Sequence, residues 1–97
     1  MTPTDRMTDA QRMAQTLGVV IGAASCCEEV TEERVTSVAV KLRQLVSATA
    51  EDVADAEAAN ERFSAALEAG KTAAESGRID PEQAQAALVE LEEELSV

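Results

Sequence analysis

Ninety-seven residues with nineteen acidic and eight basic side chains, a net charge of −11 and a single aromatic, Phe63, bound what this chain can do. Such a length makes one domain, 1–97, with little room for both a large core and a carved active site, and the acidity disfavours direct binding to nucleic acid or to a membrane surface. Histidine, tyrosine and tryptophan are absent, which removes the commonest general base and metal ligand, so the chain is read as non-enzymatic and without a cofactor.

The first element opens at Thr8, which with Gln11 makes a capping box. Counting by sevens from there gives Met7, Ala14, Ile21, Glu28, Val35 and Leu42 at one position and Ala10, Leu17, Ala24, Thr31, Val38 and Leu45 at another. Ten of these twelve are apolar. The register passes through Glu28 and Thr31 without a slip, so the pattern predicts one long helix over 9–46 with a coiled-coil-like seam. The alternative is a break near 28–33, with Thr31 capping a new helix. Gly18 and Gly22, one turn after Ala14, form a small-residue ridge at which a second helix can approach closely.

The apolar stretch 17–27 is about half the length a membrane-spanning helix requires, and Asp5 and Asp9 in the region ahead of it are out of place in a secretion signal. Cys26 and Cys27 are adjacent, and an internal disulfide between helical neighbours would be strained. They are expected to be reduced, which implies a cytoplasmic location. Two thiols followed by Glu28 and Glu29 could offer ligands to a metal or to a trivalent arsenical, with Cys26, Cys27 and Glu28 as the candidates. The stronger expectation is that the cysteines pack as small apolar groups, since Cys27 lies beside the seam and the nearby carboxylates raise thiol pKa values. Glu28 and Thr31, if buried, make a polar layer that fixes register. A carboxylate metal site built from Glu28 and Glu32 would lack the Glu-x-x-His motif of its kind.

Ser47-Ala48-Thr49 is expected to be a short connection, and Thr49 with Asp52 a variant capping box opening a second helix over 50–76. Its seam is Val53, Asn60, Leu67 and Ala74 alternating with Ala56, Phe63 and Gly70. Ala59, Ala66 and Ala73 recur beside it and permit close approach, while Asn60 is a register-selecting polar residue. The spacing of Glu51, Asp52, Asp55 and Glu57 lacks the glycine and terminal glutamate of a calcium loop. Gly77 is the stop signal. Asp80-Pro81-Glu82 then starts a third helix over 81–95, with the stripe Ala84, Leu88, Leu91 and Leu95.

These elements predict an all-α bundle of three helices, or four if the first one breaks. A first helix of about 38 residues would be about 57 Å long, more than the second can cover. An antiparallel homodimer would bury the remainder, with Leu17, Ile21, Glu28, Thr31, Val35, Asn60 and Phe63 as the contact and register residues; a broken first helix would bury the same residues within one chain.

Two acidic faces stand out: Glu28, Glu29, Glu32 and Glu33, and the third helix with Glu90, Glu92, Glu93 and Glu94. The leading expectation is an interaction module that binds a protein with a basic surface through them. A second is a DNA mimic of the phage or mobile-element type, inhibiting a nucleic-acid-binding or defence complex, an analogy that rests on charge and size. A third is the metal or thiol-reactive binder at Cys26, Cys27 and Glu28.

Overall fold

The structure, a computed structural model, describes residues 7–95, and among them four α-helices and no strand: α1 (Asp9–Ala24), α2 (Glu32–Thr49), α3 (Val53–Glu75) and α4 (Pro81–Leu95). The all-α expectation is met. No helix among the described residues is long and apolar enough to cross a membrane.

The continuous helix over 9–46 is not present, and the chain breaks between α1 and α2. Tight turns close the end of α1, with the amides of Cys26 and Cys27 donating to the carbonyls of Ala23 and Ala24. Thr31 then adopts an extended backbone and its hydroxyl accepts from the Arg34 amide at 3.2 Å, opening α2. Between the two helices Val30 is buried against the core. The connection, Ser25 through Thr31, is seven residues long, one heptad. The apolar seam therefore resumes in phase, and counting by sevens passes over the break unnoticed.

The second boundary also differs from expectation. Ser47 to Thr49 are helical and belong to α2, and the cap of α3 is Asp52, whose carboxylate accepts from the Asp55 amide at 2.8 Å. The remaining punctuation matches the sequence. Thr8 accepts from the Gln11 amide, and the Asp80 carboxylate accepts from the Glu82 amide beside Pro81. After α3, Gly77 takes φ +81°; its amide donates to Ala74, and that of Arg78 to Ala73, the paired bonds of a Schellman stop.

The closest pair is α1 with α3. They run side by side in the same direction: Thr8 and Gln11 meet Asp55, Gln15 meets Arg62, and Gly18 lies against Phe63 and Ala66. Of the small-residue ridges expected on the two helices, Gly18 meets Ala66, while Gly22 meets the Leu67 backbone and Gly70 meets Val19. The core they enclose is completed by Val38, Leu42 and Val46 of α2 and by Ala84, Leu88 and Leu91 of α4, around a fully buried Phe63. The Arg43 guanidinium covers the ring of Phe63 at 5.5 Å from its centroid.

Burial also revises several seam assignments. Glu28 and Thr31 are exposed and form no buried polar layer, because the connection carries them off the helical seam to the surface. Leu45 (42% exposed) and Val53 (75%) are likewise outside the core. Ile21 and Phe63 are buried, and Leu17 and Val35 half-buried, within a single chain. The long helix that motivated a dimer is thus absent, and of the residues named for its contact Ile21 and Phe63 are buried and Leu17, Val35 and Asn60 half-buried within one chain, while Glu28 and Thr31 face water. Asn60 is half-buried, and its side-chain oxygen is enclosed without a hydrogen-bond partner among the described residues.

Candidate functional site

The break between α1 and α2 determines where the acidic residues lie. Its connection runs along α4: the Cys27 thiol reaches the Pro81 carbonyl at 3.0 Å, the Gln85 amide donates to the Glu29 carboxylate at 3.0 Å, and Arg34 pairs with Glu92. Two acidic groups far apart in sequence are thereby brought together. Glu28, Glu29, Glu32 and Glu33 are all exposed, as are Glu82, Glu90, Glu93 and Glu94 on α4. No base occurs between Arg12 and Arg34 or beyond Arg78.

Arg34 is the base that joins α2 to α4 at this face, and it is engaged internally. Its Nε and Nη2 donate to the two carboxylate oxygens of Glu92 at 3.2 and 2.6 Å, while Nη1 donates to the Glu29 carbonyl. The bidentate pair raises the Arg34 pKa and lowers that of Glu92, chiefly through these hydrogen bonds. Among the predicted partner-binding acids, Glu92 therefore differs from the rest: it ties α4 to α2 and is half-buried, whereas its neighbours face water. The sequence shows Arg34 only as one base after four glutamates, and pairing across 58 positions leaves no local signal.

The cysteines point in different directions. The exposed Cys26 thiol lies 3.7 Å from the Lys71 carbonyl of α3, while the half-buried Cys27 points to α4. Burial, with Glu29 and Glu82 nearby, pushes the Cys27 thiol pKa up and favours the unreactive protonated form. Among the described residues no group of three or more cysteines and carboxylates is gathered for a metal ion, so the metal reading of Cys26, Cys27 and Glu28 gains no support from the geometry.

A second polar cluster lies at the far end of the molecule. Asp55 is buried (8% exposed) and accepts from the Glu51 amide at 3.0 Å, the Thr8 hydroxyl at 2.7 Å and the Gln11 side-chain amide at 2.9 Å. These bonds hold its carboxyl below the ordinary range, with the Glu51 amide the largest contributor. Gln11, expected to close a capping box on Thr8, reaches α3 instead. Because each member of this cluster bonds to another, it serves to fasten the starts of α1 and α3.

The sequence matches no protein-family model, and it has no significant similarity to a curated protein or to a solved structure.

Proposed function

We propose that the chain is a non-enzymatic interaction module whose working surface is the acidic face made by the α1–α2 connection and α4, and that its partner is a protein with a basic surface. The observation that supports this most is the alignment of the connection along α4, fixed by Cys27 to Pro81, Glu29 to Gln85 and Arg34 to Glu92. Eight exposed carboxylates are carried by the connection, the first turn of α2 and α4, where Arg34 is already paired with Glu92. Such a field speeds encounter with a cationic partner and repels nucleic acid and anionic lipid.

The experiment compares two triple variants of equal charge change, Glu90→Gln/Glu93→Gln/Glu94→Gln on the face and Glu57→Gln/Glu61→Gln/Glu75→Gln on α3, in binding to a short lysine-rich peptide followed by fluorescence anisotropy. The α4 variant is expected to weaken binding about tenfold and the α3 variant less than about twofold, because charges near the contact dominate at moderate salt. Equal loss in both would mean that net charge alone acts, and would overturn the assignment of the face.

The base-free length of α4 also favours a second reading, imitation of a phosphate backbone that blocks a nucleic-acid-binding protein. It requires that duplex DNA compete with the chain for such a protein, with a steep salt dependence.

A further inference from the structure

Beside the acidic face, between α2 and α3, lies a cleft of about 360 Å³, open to solvent on one side. Gly22 and Ser25 at the end of α1 lie at its base, where α1 and α3 touch backbone to backbone at Gly22 and Leu67, and Thr36 of α2 and Lys71 of α3 stand on its walls. The apolar lining comes from Val30, Val35 and Leu67, and Glu32 and Glu68 stand on opposite walls. Glu33 extends the acidic rim along α2.

We infer that this cleft is the docking groove for a basic amphipathic segment of the partner protein, an inference that rests on the acidic-face reading and specifies the partner's chemistry. An apolar side chain of the segment enters between Val35 and Leu67, and flanking lysines or arginines meet Glu32, Glu33 and Glu68. This is the pattern by which a helix reads a groove, with apolar anchors at one-turn spacing and charges on either side. Lys71 stands at the α3 end and is outnumbered by the three carboxylates. A second copy of this chain does not fit the site, since it would bring its own charge of −11 to an acidic rim.

The test uses two labelled peptides of identical leucine and lysine composition, one patterned as an amphipathic helix and one scrambled, titrated into the intact protein by anisotropy. The patterned peptide is expected to bind about tenfold more tightly, as anchor residues contribute only when aligned. Thr36→Arg, an exposed residue on the cleft wall, removes that advantage, whereas Thr16→Arg, an exposed residue on α1 with the same change of charge, does not. Glu68→Lys repeats the test from the opposite wall, with unchanged circular dichroism as the check on folding. Equal affinities for the two peptides, or indifference to both wall variants, would overturn the groove while leaving the acidic face standing. Failure of both peptides to bind would overturn the groove and the acidic face together.

Discussion

The backbone of Gly22 in α1 lies so close to Leu67 in α3 that a β-carbon at Gly22 would stand 2.9 Å from the Leu67 carbonyl carbon, nearer still to its oxygen. The obstruction is backbone, which cannot rotate aside. Alanine is intrinsically the better helix former by about 1 kcal/mol, but overpacking costs about 1–3 kcal/mol and here prises two helices apart. Gly22→Ala is therefore expected to lower stability by about 2 kcal/mol in urea unfolding, with the loss set by packing at the contact. Gly70, facing the Val19 carbonyl, should respond in the same way.

The helix break makes a prediction of opposite sign to a continuous helix. With Thr31 as the cap of α2, Thr31→Ala removes the bond to the Arg34 amide and should cost about 1 kcal/mol. Were Thr31 inside one long helix and exposed, alanine would stabilise by a few tenths of a kcal/mol, roughly the difference in propensity. The urea midpoint of this single variant separates the two arrangements.

Asp55 gives the fold an acid limit. Its hydrogen bonds lower the folded-state pKa below the unfolded value, so its contribution is present above the ordinary carboxylate range and is lost as pH falls through the folded pKa. Glu92, also lowered, acts in the same direction. Stability is expected to fall below about pH 4, near the unfolded carboxylate value. Asp55→Asn should be less stable than the parent at neutral pH, with the gap closing in acid; thermal unfolding across a pH series measures it.

Arg34 and Glu92 should behave as one unit. A double-mutant cycle to alanine is expected to give a coupling of about 1 kcal/mol, at the upper end for partly exposed pairs because the contact is bidentate. The Glu33–Glu92 cycle, which lacks a hydrogen bond, serves as the control and should give little coupling.

Helix punctuation and the small-residue ridges were legible in the sequence because each depends on neighbours within a turn. Thr8, Asp80-Pro81 and Gly77 behave as their local chemistry dictates, and Gly18 and Gly22 let α3 approach at Ala66 and Leu67. The break at Thr31 was legible only as an alternative, since a seven-residue connection preserves a seven-residue count. The acidic residues of the face could be named in advance, but their union could not. It depends on Cys27, Glu29 and Arg34 finding Pro81, Gln85 and Glu92 across more than fifty positions. Asp55 was hidden for the same reason, being one acid among several until Thr8 and Gln11 arrive from another helix.

The claim that the face and its neighbouring cleft form the binding surface is tested most directly by titrating isotope-labelled protein with the patterned basic peptide and following the backbone amide resonances. Shifts are expected to concentrate at 28–36, at 67–71 and along α4, with the Asp55 end unmoved. Shifts of equal size around Glu51, Glu57 and Glu61, or spread evenly over all exposed acids, would contradict it.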